Sequence, residues 1–219
     1  MAIYDLSHTI GNETITYRGF PAPIICDFIS REQSKIYYEK GTTFQIARMD
    51  FVTNSGTYLD SPFHRYEDGK DLSELALERL VHLPAICLRI HHSKKLNIEV
   101  SDLEKLEISG KAILLHTGWD EHWMTDNYFA DHPYLTRSAA QYLVDKGAIL
   151  VGIDSHNIDD TRSNDRPVHS ILLHHDIYIV EHLCGLDAVP DEVSLFFTAV
   201  PPKIKKVGTF PVRAFVETE

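Results

Sequence analysis

Short apolar runs separated by breaker residues set the rhythm of this 219-residue chain. They recur at 85–90, 112–116, 148–153, 177–183, 195–200 and 212–216, and their length and β-branched content predict strands. Residues 43–52 are similar in composition. Phe44 and Ile46 alternate with polar neighbours, then the apolar phase slips to Met49 and Phe51, which predicts a strand with a bulge. Helical signals are fewer. Ser101 with Glu104 three residues on has capping-box spacing and predicts a short helix. Thr136 caps a clearer helix with Ala139, Ala140 and Leu143 on one face and Gly147 as its stop. Leu72, Leu75 and Leu80 line a third. Many strands with a few interspersed helices predict an α/β fold with a mixed sheet, without the strict alternation of a doubly wound fold. No repeat, low-complexity tract or linker divides the chain, so one domain over residues 1–219 is expected.

Composition narrows the function classes. The chain is 43% apolar and 24% charged, ordinary values for a soluble globular protein. Its formal charge is −11, from 21 basic and 32 acidic residues. With no long basic run, nucleic acid and anionic membranes are not expected partners. No apolar run approaches the roughly 18 residues needed to span a bilayer. The first residues, Met1 to Asp5, lack the basic and apolar regions of a signal peptide. Cys26, Cys87 and Cys184 are too few and too widely spaced for a disulfide framework or a zinc ribbon. They are expected as reduced, mostly buried thiols of a cytoplasmic protein. There is no Gly-x-Ser-x-Gly elbow, phosphate-binding loop or dinucleotide glycine pattern, so serine hydrolase, NTPase and nicotinamide enzyme readings lack support.

The segment from Asn54 to His64 carries the chemistry. Hydrogen-bonding side chains stand at Asn54, Thr57, Tyr58, Asp60, Ser61 and His64, far more than a core strand requires. Asp60 follows a strand, and Ser61-Pro62 enforces an extended exit. His64 returns toward Asp60 if the chain turns after the proline; the alternative is an Asx turn with a solvated histidine. A second cluster pairs His169 with Glu181. A carboxylate inside the apolar run 177–181 is costly unless paired, protonated or bound to a cation; otherwise the run is an edge strand and Glu181 faces water. Two independent His/carboxylate clusters favour a divalent metal. Among the remaining histidines, the pairs His91–His92 and His174–His175 read as solvated, and His116 either lines a pocket or ends a strand. Asp154 and Asp159 read as loop anchors that accept from backbone amides.

In these residues the chain resembles the cyclase-like metal-dependent hydrolases, the family of bacterial kynurenine formamidase and isatin hydrolase. The resemblance covers nearly the whole length. It runs through Tyr4-Asp5-Leu6-Ser7-His8, residues 54–64, Thr117-Gly118-Trp119, Gly152-Ile153-Asp154-Ser155, His169, Val180-Glu181 and Pro211-Val212-Arg213-Ala214, in the family's order. The family motif His-x-Gly-Thr-His-x-Asp-x-Pro-x-His stands here with Asn54 and Tyr58 in place of both early histidines. Those histidines and the Asp hold one divalent metal in the family; the same Asp, a later His and a Glu hold a second. The second set matches Asp60, His169 and Glu181. An amide oxygen and a phenol are poorer zinc ligands than imidazole, so at most one tightly held metal, zinc or manganese, is implied. The family's aromatic-Pro-Gly-Asp loop reads here as Tyr17-Arg18-Gly19-Phe20, which places Tyr17 by the substrate pocket and departs from the pattern thereafter.

The resemblance implies a swivelling β/β/α-type fold, a homodimer with sites near the interface, and hydrolysis of a small amide, aryl formamide or lactam, as in tryptophan catabolism. Asp60, His169 and Glu181 would hold the metal, and His64 would serve as acid/base with Tyr58 beside it. Asn54, Phe63 and Tyr17 would touch substrate, and Trp119 would form pocket wall or core. Two other readings keep the scaffold: a non-catalytic small-molecule-binding protein, or a metal-free cyclase or dehydratase working through His64 and Tyr58.

Overall fold

The computed structural model describes residues 1–191 and 193–219. Thirteen strands and four helices follow the chain. The strands are β1 (Ala2–Asp5), β2 (Ile24–Ile29), β3 (Ile46–Asp50), β4 (Tyr58–Asp60), β5 (Leu83–Arg89), β6 (Asn97–Ile98) and β7 (Ala112–His116). They continue as β8 (Tyr134–Leu135), β9 (Leu150–Ile153), β10 (Tyr178–Glu181), β11 (Leu195–Thr198), β12 (Thr209–Pro211) and β13 (Phe215–Thr218). The helices are α1 (Arg31–Ser34), α2 (Val100–Leu103), α3 (Arg137–Asp145) and α4 (Pro167–His174).

Nine strands form one mixed sheet in the order β1-β13-β11-β5-β7-β9-β10-β4-β12. Its centre, β5-β7-β9-β10, is parallel, and both flanks are antiparallel. Parallel strands are buried on both faces, and their continuous apolar runs follow from that. Successive side chains alternate between two cores. Ile113, Leu115, Val151, Ile153 and Ile179 face a cluster that includes Ala140 and Leu143 of α3 and Leu172 of α4. Ala112, Leu114, Leu150, Tyr178 and Val180 face the opposite cluster, with Leu59, Phe197 and Val216. Among the described residues, no helix is long and apolar enough to cross a membrane.

The mixed α/β fold class agrees with the sequence reading, and several elements correct it. Of the strand expected at 212–216, only 215–216 are in a strand, at the start of β13; residues 212–214 lie between β12 and β13. The predicted bulge lies in the partner strand: the β2–β3 register shifts between Asp27 and Ile29, so Phe28 is the extra residue. The hairpin's strand β3 is exposed throughout, so its alternation reflects two solvent-facing sides and not a half-buried strand. The short helix α2 is capped by Glu99, whose capping box closes with Asp102, and not by Ser101. Around Leu72, Leu75 and Leu80 the only helical turn is the 3-10 turn Leu77–Arg79. Thr136 caps α3 as expected, accepting from the Ala139 amide. Helix α4 has no capping side chain at its start, since Arg166 makes no side-chain cap bond; Pro167 in the first turn is its one local start signal. Cys26 is exposed, and Cys87 and Cys184 are half-buried; all three are free thiols.

Asp154, just past β9, is the anchor its context suggested. Its buried carboxylate accepts from the Thr117 amide at 2.8 and 2.9 Å, the Gly118 amide at 2.8 Å and the Thr117 hydroxyl at 2.5 Å. Gly118 adopts φ +73°, a conformation that other residues reach only with strain. Asp154→Ala strands two amides and a hydroxyl without acceptors. It should lower unfolding free energy by about 3 kcal/mol in a urea titration. A loss below about 1 kcal/mol would mean that the turn is held by other contacts.

Candidate functional site

Sheet register builds the site. In β4, Tyr58 lies opposite Glu181 of β10, and Asp60 lies opposite Thr209 of β12. Tyr58 and Asp60 are two apart and therefore share one face of the strand. The Tyr58 hydroxyl donates to Glu181 Oε2 at 2.6 Å. The Thr209 hydroxyl donates to Asp60 Oδ1 and accepts from His64 Nδ1 at 2.8 Å. After Pro62 the chain makes the 3-10 turn Pro62–His64, which swings His64 back until its Nδ1 is 3.5 Å from Asp60 Oδ1. Gly208 makes that approach possible: a Cβ there would sit 2.3 Å from the His64 amide nitrogen.

His169 comes from the first turn of α4, where Pro167 supplies a fixed φ at a helix start. Asp159 accepts from the Val168 amide at 2.7 Å and the His169 amide at 3.0 Å, standing in for the missing cap. The same carboxylate accepts from His169 Nδ1 at 2.6 Å. One residue thus caps the start of the helix and holds Nδ1–H of the imidazole, so that Nε2 is the nitrogen turned toward Asp60 and Glu181. That nitrogen lies 3.6 Å from Asp60 Oδ2 and 3.6 Å from Glu181 Oε1. Glu181 is fully buried in an interior strand, so the edge-strand reading fails.

The electrostatics are those of a site made for a cation. Burial alone would raise the Asp60 carboxyl, but His64, His169 and Thr209 outweigh it and hold the group below its ordinary range. Burial pushes Glu181 up to about 7, against the pull of His169 and with the push of Asp60. Burial would lower His169, yet Glu181, Asp159 and Asp60 raise it to about 10. Among the described residues, buried Asp60 Oδ2 finds no hydrogen-bond partner. An orphaned carboxylate oxygen is costly unless something positive fills the space beside it. Donors around a tetrahedral zinc lie about 3.4 Å apart, given bonds near 2.0–2.2 Å. The two 3.6 Å separations around His169 Nε2 fit that spacing. Asp60, His64 and His169 also offer one donor each within 4.8 Å of one another. Thr209 holds His64 Nδ1, and Asp60 Oδ2 and Glu181 Oε1 both face His169 Nε2.

Tyr58 ends a one-way relay. Burial, and then the Glu181 carboxylate, hold the phenol well above its ordinary value, so it is a proton donor here. Burial holds His182 neutral. One assignment satisfies every contact: Tyr128 donates to His182 Nδ1 (2.7 Å), His182 Nε2 donates to Tyr58 (3.3 Å), and Tyr58 donates to Glu181. The Tyr17 hydroxyl joins at 2.7 Å from that of Tyr58 and accepts from Asn157 at 3.1 Å.

A cavity of about 230 Å³ opens above these groups. Tyr17, Phe20, Asn54, Tyr58, His64 and His169 line it, with Glu181, Asn157, Arg65 and Arg166. Of the residues singled out from sequence, Phe63 is not in the lining. Consecutive residues of a 3-10 turn point about 120° apart, so a turn that presents His64 directs Phe63 elsewhere. Trp119 is core: it is buried, with Nε1 donating to the Tyr128 carbonyl. Asn157, Arg65, Arg166, Thr209, Gly208, Tyr128 and His182 escaped the sequence reading. Only the 152–159 run had been marked, and for its aspartates.

The chain matches the Cyclase family model, described as "Putative cyclase", over residues 4–160. It is 28% identical over 216 residues to a kynurenine formamidase of Bacillus cytotoxicus, covering 97% of this chain and 95% of that protein. It is 29% identical over 171 residues to a kynurenine formamidase of Geobacillus thermodenitrificans, covering 77% and 78%. Among solved structures, isatin hydrolase A from Labrenzia aggregata superposes with a TM-score of 0.82 at 18% identity, covering 98% and 93%. A predicted metal-dependent hydrolase from Bacillus stearothermophilus gives 0.78 at 25% identity, covering 98% and 97%. The match over residues 4–160, more than half of the chain, places it in the cyclase family.

Proposed function

We propose that the protein hydrolyses a small amide, an aryl formamide or a lactam, using a zinc or manganese ion held by Asp60, His169 and Glu181. The observation that carries this reading is the buried, unpartnered Asp60 Oδ2, turned with Glu181 Oε1 toward one imidazole nitrogen. When bound, such an ion supplies Lewis acidity toward a carbonyl oxygen and acidifies a water. Asp159 keeps the His169 lone pair on Nε2. Thr209 does the same for His64: by accepting from Nδ1–H it leaves Nε2 free as the base. His64 Nε2 takes the proton of the attacking water and returns it to the leaving amine. Tyr58 orients Glu181, while Asn54, Tyr17 and Phe20 contact the substrate. With Asn54 and Tyr58 where imidazoles would complete a second ion beside the first, one ion in the cavity is expected. The kynurenine formamidase and isatin hydrolase relatives make aryl formamides and cyclic amides the first substrates to screen.

The relay through Tyr58 favours a second reading, in which His64 and Tyr58 work as an acid/base pair without metal. Elemental analysis separates the two. Protein purified without chelator should carry zinc or manganese, and Asp60→Ala should lose one equivalent per chain together with turnover. Turnover that survives a chelator would select the metal-free reading. No metal after incubation with either ion, and no turnover, would leave a binding protein.

Gly208→Ala tests His64 placement apart from the ligands, because the added methyl collides with the His64 backbone. Misplacement by about 1 Å costs on the order of 10²-fold. The variant should lose that much kcat while keeping its metal; an unchanged kcat would remove His64 from the chemistry.

The homodimer is proposed through the β2–β3 hairpin, where Ile24, Phe28, Ile46 and Met49 are exposed. By register Ile24 and Ile46 share one face of the hairpin and Met49 takes the other, so both faces carry exposed apolar side chains that association would cover. Phe28→Glu should shift the mass in analytical ultracentrifugation from dimer to monomer. A wild-type chain that is monomeric at micromolar concentration would reject the interface.

A further inference from the structure

We propose that His92, Glu121 and His122 form a second site for a divalent ion of the zinc class, separate from the cavity. None of the three lines the cavity. Each offers one donor atom, and the three atoms lie within 4.8 Å of one another. His92 Nε2 is 3.2 Å from Glu121 Oε1, and His122 Nε2 is 3.6 Å from the same oxygen. These separations bracket the roughly 3.4 Å expected between adjacent donors on a tetrahedral zinc. A simple ion pair would draw the carboxylate to one imidazole at about 2.8 Å. Sharing one oxygen between two imidazoles at longer range is what a central cation requires.

The donors are held in place. The His92 amide donates to the Thr117 carbonyl at 2.8 Å, so residues 90–92 continue the pairing of β5 with β7. His92 Nδ1 donates to the same carbonyl at 3.2 Å, which fixes the tautomer with the lone pair on Nε2. The His91 ring stacks on it, with centroids 4.4 Å apart. Glu121 and His122 belong to the 3-10 turn Trp119–His122, which opens at Gly118 and is anchored by the buried Asp154 carboxylate. Trp119 sits edge-on to both His92 and His122, at 5.2 and 4.6 Å between centroids. Two imidazoles and one carboxylate on rigid backbone suit zinc, nickel or copper better than magnesium or calcium. The fourth position stays open to water.

Occupancy would clamp the exit of β5 to this turn. The next residue, Trp123, stacks on His8 at 4.0 Å, and the His8 amide donates to the Thr57 hydroxyl, next to Tyr58. The clamp therefore stiffens the layer beneath the cavity without touching it.

The test is calorimetric titration of the untagged chain with zinc chloride in the Asp60→Ala background. One zinc per chain should bind there, raising the melting temperature. Glu121→Gln should weaken binding at least tenfold. His92→Gln with His122→Gln should abolish it, while circular dichroism confirms the fold is kept. Cobalt chloride should give visible absorption bands that vanish in the same double variant. His174→Gln with His175→Gln, an exposed histidine pair elsewhere, should change nothing. Zinc binding unchanged in the His92/His122 variant, lost equally in the His174/His175 variant, or absent throughout would overturn the proposal.

Discussion

The pairing of the three-residue strand β4 between β10 and β12 is the constraint on which the rest of the site depends. One register puts Tyr58 against Glu181 and Asp60 against Thr209. A slip by one residue would turn both side chains to the other face and install Leu59 in their place. Leu59 is buried in the opposite core, so apolar burial on one face enforces polar placement on the other. The chemistry is thus held in register by hydrophobic packing that takes no part in it. His64 and His169 then reach the same spot from two short turns, one built on Pro62 and one on Pro167. In each case a residue that fixes φ precedes the histidine, so the imidazole arrives with little backbone freedom left to lose.

Much of the fold was legible because the central strands obey simple rules. Buried parallel strands show as continuous apolar runs, and 112–116 matches β7 at both ends. Helix α3 was legible because a capping threonine and a stop glycine bracket an apolar face. Helix α4 was not, because its amides are satisfied by Asp159 from a loop, a partner that no local pattern reveals. The hairpin β2–β3 was half legible: composition predicted a strand, but not that its apolar side chains face outward. Within the site, Asp60, His64, His169 and Glu181 stood out as polar groups in apolar context, and they do converge. Thr209 and Gly208 were invisible. Their importance comes from sheet register and from a close backbone approach, and neither leaves a trace in residue type.

Tyrosine in place of a metal-ligating histidine changes the electrostatic problem of the site. An imidazole in this position would offer a lone pair to a cation. The Tyr58 phenol, kept protonated by burial and by Glu181, offers a proton instead. It spends that proton on Glu181 Oε2, while the Ile158 amide donates to Oε1 at 2.7 Å. Both oxygens of Glu181 are therefore anchored, and Oε1 keeps a lone pair on the side facing His169. A buried carboxylate left without such donors would shift further toward the neutral acid and be lost as a cation ligand. The Tyr58 hydrogen bond thus pulls against burial and helps keep Glu181 ionised.

Three tiers of hydrogen bonding now account for why each donor faces inward. Asp159 sets the His169 tautomer, Thr209 sets that of His64, and the Tyr128–His182–Tyr58 relay orients Glu181. Among the described residues, Asp60 Oδ2 is satisfied by none of these tiers. His169 Nε2 stands 3.6 Å from it, beyond hydrogen-bond distance. The vacancy in the hydrogen-bond pattern is therefore specific: it sits on one atom, faces one imidazole nitrogen, and calls for positive charge.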